Sequence, residues 1–393
     1  LKLAFNIARK LAFNSSRSFS AFIIRLSIVA TAISVMALIV TLSFVNGFQR
    51  EVSGKVFSFW GHIRVQQYIP GKSIRSMPGI QKIQPYATKS AVMEHQKEIE
   101  GVLLKGISKS YDSVPFRPFM VSGSWIQFND SSYSHDVLVS ADQAKTLNIK
   151  VNDTITLYFI ASLEGTRTYR KLRVAGLYKT SIAEYDQLFV IGDLQLLQRV
   201  NDWGPRQIGG YEVFVQDYAK LNSIQSALAD RLPMQMGSST IEEIFPNIFD
   251  WLTIQNLNRN VLFTILGLVA IINLATCLLV LILERTKMVG ILQTMGAPNN
   301  TIRMIFLFQA LWIALAGIGL GCAAGLAISW LQITTGFIKL DEASYYVSQA
   351  PVYIIGWQVA LVVAVAFVLC FLCLLLPTYI IRSNQPIRYV QLR

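Results

Sequence analysis

The chain has 393 residues, 53% of them hydrophobic and only 15% charged, against roughly 25% charged in soluble domains, which points to the membrane. Its net charge of +12 is no mark of nucleic-acid binding, because residues 47–257 hold 22 basic against 20 acidic side chains and no domain carries the basic face that such binding needs. All four cysteines (Cys277, Cys322, Cys370, Cys373) lie in apolar runs, so the polar part of the chain folds without disulfides.

The first 18 residues, LKLAFNIARKLAFNSSRS, are basic and alternate apolar Leu3, Phe5, Ile7, Leu11 and Phe13 with polar positions. They lack the short apolar core and cleavage site of a secretory signal and read as an interfacial helix on the cytoplasmic leaflet. Four apolar runs follow, 19–45, 261–283, 304–331 and 352–381, each reaching the roughly 20 residues that cross a hydrocarbon core. The basic excess clusters up to Arg25, in 284–303 and from Arg382, where 11 Lys and Arg face one acid, Glu284. By the positive-inside pattern both termini and the 284–303 loop are cytoplasmic, and the long insert lies outside. The expected division is an interfacial helix 1–18, spans 19–46, 258–283, 304–332 and 352–381, an outer domain 47–257, a cytoplasmic loop 284–303, an outer loop 333–351 and a tail 382–393.

Within the insert, strand-like pieces are HIRVQQY, KSAVMEH and IEGVLLKGI, the last two joined by a short polar turn. HDVLVSADQAKTLNIKVNDTITLYFI reads as strand, short helix, turn and strand, with Asn152 suited to a left-handed turn position. RKLRVAGLYKT and YDQLFVI read as strands, GDLQLLQRV opens a helix, and GGYEVFVQ is another strand. YAKLNSIQSALADRL is a surface helix with Leu221, Ile224, Leu228 and Leu232 on one stripe. IEEIFPNIFDWLTIQNLNRN returns to the membrane as a helix with Trp251 near the interfacial belt.

Several tempting sites fail on spacing. IPGKS at 69–73 lacks the first glycine of a phosphate loop, since Gln66 stands there, so the chain is not expected to bind ATP itself. His62, His95 and His135 fall in separate strand-like segments without metal-ligand spacing, and no metal site is expected. No G-x-S-x-G or Ser/His/Asp arrangement marks a catalytic centre. Cys370 and Cys373 form a C-x-x-C on an apolar helix with no nearby acid or His, which reads as packing. The spans carry almost no ionisable groups: Arg25 snorkels at the inner end and Arg259 borders the outer end. Proton-driven carriers place acids at mid-depth, so the energy source is elsewhere.

One stretch has no place in a plain tether. ERTKMVGILQTMGAP, residues 284–298, leaves the membrane as a short amphipathic helix. On a helical wheel Met288, Val289, Ile291, Leu292 and Met295 fall within about 160°. Gly296 suits the left-handed position after the helix, Pro298 stops continuation, and Asn300 or Thr301 offers a cap for the next helix. Physical chemistry alone serves two readings equally, an interfacial connector and a handle gripped by another protein.

The residues from Glu284 to Gly325 resemble the core of the FtsX-like permeases, the group that includes the MacB exporters and the lipoprotein-releasing LolC/LolE subunits. Glu284, Arg285, Thr286, Gly290, Ile291, Leu292, Met295, Gly296 and Ala297 occupy the family's motif positions, with Val289 where Ile is usual. Pro377 and Pro386 match the closing segment. GVLLKGI, VLVSADQAKTLNIKVNDTITLYF, LRVAGLYKTSIAEYDQLFVI and GGYEVFVQDYAKLNSIQSALADRL are similar to the LolC/LolE type in order and spacing, with Asn152 where Gly is common.

The resemblance implies an α-helical membrane protein with four transmembrane helices plus a large α+β periplasmic domain inserted between helices 1 and 2, in the bacterial inner membrane. It implies a permease that is no enzyme itself and is driven by ATP and Mg in a separate cytoplasmic ABC ATPase dimer of the LolD type. The partners implied are a second permease copy or paralogue, an acylated lipoprotein substrate and a periplasmic carrier of the LolA type. Residues Glu284, Arg285, Thr286, Lys287, Met288, Gly290, Ile291, Leu292, Met295 and Gly296 would couple to the ATPase. Leu42, Phe44, Val45, Phe48, Leu257, Val261 and Ile265 offer an acyl-chain surface, which lipid exposure explains equally well. Gly317, Gly321 and Gly325 form a small-x-x-x-small stripe for close helix packing. Two relatives with other tasks remain open as alternatives: a MacB-like efflux permease for peptides or toxins, and an FtsX-like regulator that moves no substrate. MacB carries its ATPase ahead of its spans, where this chain begins, and the outer domain of FtsX is much smaller than this insert.

Overall fold

A computed structural model describes residues 19–66, 77–129, 132–159 and 168–380. The expected interfacial helix 1–18, the IPGKS turn and the tail with Pro386 lie outside the described residues. Five helices carry labels here: α1 Phe19–Trp60, α2 Pro246–Glu284, α3 Thr286–Thr294, α4 Asn299–Thr335 and α5 Gly356–Ile380. The described residues divide into two units: those of 19–49, 252–338 and 350–380 form the helical one, and those within 50–251 and 339–349 the mixed one.

In the helical unit, α1, α2 and α4 are long and apolar enough to cross a membrane. The described apolar part of α5, Gly356–Phe371, is shorter, so the structure supports membrane-type helices without fixing a count of four. Their common core gathers Ile24, Val35 and Ile39 of α1 with Leu274 and Leu281 of α2, Ile313 and Ile318 of α4, and Val362 of α5. Gly317, Gly321 and Gly325 turn toward α1. A Cβ on Gly321 would stand 2.5 Å from Ala32 O, and one on Gly317 would stand 2.8 Å from Thr31 Cβ. The absence of side chains therefore sets the approach of the two helices. The contacts advance together (317 on 31, 321 on 35, 325 on 39), so α1 and α4 run in the same direction. Asn273 of α2 donates to Ser27 O of α1 at 3.2 Å, a polar tie where lipid offers no partner.

The mixed unit is built on a 10-stranded sheet of β1 Ile63–Gln66, β2 Ile80–His95, β3 Glu98–Ile107, β4 Met120–Gly123, β5 Asp136–Ser140, β6 Thr154–Phe159, β7 Thr168–Tyr178, β8 Phe189–Asp193, β9 Gly210–Val215 and β10 Gly237–Thr240. The order is β10-β1-β9-β2-β3-β8-β5-β7-β4, and β6 pairs with both β2 and β7. That double pairing closes β2-β3-β8-β5-β7-β6 into a ring. Its interior is filled by the alternate inward residues Ala91, Met93, Leu104, Val139, Leu157 and Val174. Beyond the ring, β9, β1 and β10 extend from β2, and the helix Leu221–Ala229 covers them with Leu221, Ile224 and Leu228. Leu232, the fourth residue of the expected stripe, is partly buried against the same cluster.

Local chemistry explains the connections. Gln96 and Lys97, both at positive φ, turn β2 into β3 in the hairpin form that suits strand twist. Ser140 and Gln143 cap the short helix Ala141–Thr146 reciprocally, and Asn152 takes φ 75 at the turn before β6.

Two expectations need correction, and one strand was not foreseen. YDQLFVI is not a strand from its start: Ala183–Asp186 is a helical turn, and the strand begins at Phe189. The Asp186 carboxylate accepts from Thr180 N–H at 2.9 Å and Ser181 N–H at 2.8 Å, and these local bonds outweigh the apolar alternation. Neither Asn300 nor Thr301 caps α4, because Pro298 takes the cap position in extended conformation and the helix starts at Asn299. The short strand β10 lies in a segment, GSST, with no apolar alternation to announce it.

Candidate functional site

The stretch that leaves α2 forms the expected short helix. Arg285, at φ −102 and ψ 20, breaks the helical path after Glu284, and α3 starts without a side-chain cap. At its far end Gly296 N–H donates to Gln293 O at 3.0 Å and Ala297 N–H to Leu292 O at 2.9 Å. Gly296 sits at φ +84, so this is a Schellman stop that only a residue tolerant of the left-handed region closes cheaply. Exposure changes across the apolar arc. Val289, Leu292 and Met288 are half-buried, whereas Ile291 and Met295, one turn apart, are 60% and 78% exposed. A Cβ on Gly290 would meet nothing within 4 Å. Glu284 and Gly296 are exposed, Arg285 and Thr286 half-buried, and the side chain of Lys287 lies outside the described residues. The geometry leaves an apolar edge and a bare glycine on a short, firmly terminated helix.

The proposed acyl-chain residues do not form one surface. Leu257, Val261 and Ile265 lie exposed along α2, with Leu268 and Ile272 continuing the stripe. Leu42 and Val45 of α1 are each only 7% exposed, and Phe44 and Phe48 are half-buried. Leu42 packs into the helical core with Leu274 and Val362, so the α1 share of that surface faces inward. Sequence reasoning missed a cavity of about 120 Å³ among α1, α2 and α5, lined in part by Val35, Leu38, Phe263, Gly267, Val362 and Leu369. Its signal in the sequence is the pair Gly267 and Ala270, small residues of α2 that both line it.

A third cluster lies in the mixed unit, where α1 ends. Arg64, Glu212, Gln84, Tyr86 and Lys105 share one face of the sheet by register. Lys105 and Glu212 are buried and paired at 2.6 Å. Burial pushes the Lys105 ammonium below its ordinary range, against the opposing pull of Glu212, and pushes the Glu212 carboxyl up, against the pull of Lys105. Nearby, His62 Nδ1 accepts from Val215 N–H at 3.3 Å, and its ring lies 4.4 Å from that of Phe57. Burial lowers its pKa to about 4. His95 is held by Leu147 O at 2.9 Å. Among the described residues no group of three or more His, Cys, Asp or Glu side chains is placed to hold a metal ion.

Comparison with known proteins agrees with this layout. Residues 260–386 match the FtsX-like permease C-terminal family, and residues 26–231 match the MacB-like periplasmic core domain. The lipoprotein-releasing system transmembrane protein LolC of Neisseria meningitidis is 24% identical, covering 94% of this chain and 94% of its own length. LolE of Haemophilus influenzae is 24% identical, with 93% of each chain covered. Among solved structures, the periplasmic region of MacB from Actinobacillus actinomycetemcomitans aligns at 14% identity and TM-score 0.35, covering 47% of this chain and 91% of that one. The second match alone spans more than half of the chain, so the protein belongs to the family with a MacB-like periplasmic core domain, and its C-terminal part matches the FtsX-like permeases.

Proposed function

We propose that this chain is the permease subunit of an ABC transporter that extracts lipoproteins from the outer leaflet of the inner membrane and passes them to a periplasmic carrier. The observation that carries the reading is the end-to-end similarity to lipoprotein-releasing subunits, over 94% of both chains for LolC. The exposed edge of α3 supports the coupling part: Ile291 and Met295 would seat in a groove of a cytoplasmic LolD-like ATPase, which binds ATP and Mg. In this reading four spans place both termini and α3 in the cytoplasm, and a second permease copy or paralogue completes the complex. Movement of α3 then passes along the stiff helices to the periplasmic domains. Acyl chains leave the lipid beside Leu257, Val261 and Ile265 of α2, and the lipoprotein is handed to a LolA-like carrier. The match to the MacB-like core favours one second reading, an efflux permease for peptides or toxins.

Native mass spectrometry of the chain purified from its own membranes tests the assembly. The expected result is two permeases, two ATPases and an acylated lipoprotein. Release assays with Leu292→Asp then test coupling, and release is expected to fall while the permease stays folded. Release that proceeds equally well without acyl chains on the substrate would hand the assignment to the efflux reading.

A further inference from the structure

Helix α1 does not simply run out. The last four carbonyls of a helix have no intrahelical donor, and here those of Phe57, Ser58 and Phe59 are caught one by one. Phe57 O accepts from Gly61 N–H at 2.8 Å, with Gly61 at φ +71. Ser58 O accepts from the Tyr111 hydroxyl at 3.3 Å. Phe59 O accepts from Lys105 Nζ, a side chain from β3. The same ammonium stands 4.6 Å from the centre of the Phe59 ring and 4.3 Å from that of Trp60, and the Arg64 guanidinium lies 4.1 Å over Trp60. Phe59 and Trp60 are each 1% exposed. A cation at a helix C-terminus is also favoured by the helix dipole, and Glu212, at the centre of the β1-β9-β2 face, neutralises it.

A buried ion pair is weak evidence for stability, since apolar residues of similar volume often serve as well. Two features set this one apart from plain core packing: one ammonium holds both the backbone and the rings of the helix end, and the pair spans β3 and β9, on either side of β2. We propose that Lys105 and Glu212 are positioning residues that fix the last turn of α1 to the sheet, so that displacement of α1 moves the sheet rather than bending the joint. The idea rests on the release reading for its consequence in transport, though the joint itself does not depend on it.

The test uses the double variant Lys105→Met/Glu212→Leu in the full chain, purified with its ATPase. It removes both charges, so neither is left buried alone. Hydrogen exchange across 55–62 should quicken about tenfold or more, the change expected from losing a charged hydrogen bond, while β5 and β7 amides keep their rates. Lipoprotein released per ATP hydrolysed should fall at least about fivefold with ATPase turnover largely kept, a split that mere loss of folded protein would not produce. Tyr111→Phe, which removes only the hydroxyl on Ser58 O, should shift both readouts in the same direction by less, and it keeps the test open should the double variant misfold. Unchanged exchange at 55–62 would overturn the joint. Faster exchange with unchanged release per ATP would overturn its role in transport. A wild-type complex that releases no lipoprotein would instead sink the release reading, with the exchange result still deciding the joint.

Discussion

His62 is the residue whose chemistry is most directly testable. Its pKa is lowered to about 4 by burial, against about 6.5 in an unfolded chain. Between those values the unfolded state holds more protons than the folded one, so stability is complete above pH 6.5 and falls as the pH drops toward 4. From neutral pH to pH 5 the segment around His62 should lose about 2 kcal/mol of protection. Hydrogen exchange at Val213–Val215, corrected for intrinsic rates, measures this, and the pH-dependent part should vanish in His62→Asn. Gly321 makes a steric counterpart. Gly321→Val drives a side chain into Ala32 O at 2.5 Å and should cost about 1–3 kcal/mol. Gly319→Val points into open space and should leave the melting temperature of the solubilised protein nearly unchanged.

Among the elements, α3 separates a structural role from a partner role. Gly290→Ala should strengthen the helix by up to about 1 kcal/mol, because its Cβ meets nothing within 4 Å. If a partner packs against that bare backbone, the same change weakens co-purification of the ATPase, so a firmer helix with poorer binding is the expected pair of results. Gly296→Val should fray the helix end at a cost of about 1–2 kcal/mol, read as faster exchange at Met295–Ala297. The stop at Gly296 was legible in the sequence because it depends on neighbours along the chain, as was the turn at Asn152. The stripe on Leu221–Ala229 was legible because helical periodicity betrays a buried face. The ring closure by β6 was not, since its partners on β2, from Ala91 with Phe159 to Glu94 with Thr156, lie too far apart in the chain to leave a local trace. Nor was the inward turn of Leu42 and Val45: on one helix a core-facing leucine and a lipid-facing leucine read alike. Lys105 and Glu212 were invisible for a similar reason, being ordinary charges in strands until the register aligns them.

For the whole molecule, the inside-out assignment of charge makes a prediction about sidedness. Lys97→Cys, at the exposed β2–β3 turn, should react with an impermeant thiol reagent added to spheroplasts. Thr294→Cys, exposed on α3, should react only after the membrane is opened. Labelling of both from the same side would overturn the topology.

The pairing of β1 carries a consequence for how the chain is made. Its residues 63–66 bond to 210–213 on one flank and to 237–240 on the other. The first strand of the insert to emerge during synthesis is thus the last to find its neighbours. At roughly 5–20 residues per second of elongation, β1 waits many seconds with both edges open. An unpaired edge is a template for wrong partners, so synthesis rather than the finished fold is where this domain is most vulnerable. Slowed translation before Gly210 would lengthen that wait, and β1 is the strand that most needs shielding while the rest of the sheet is made.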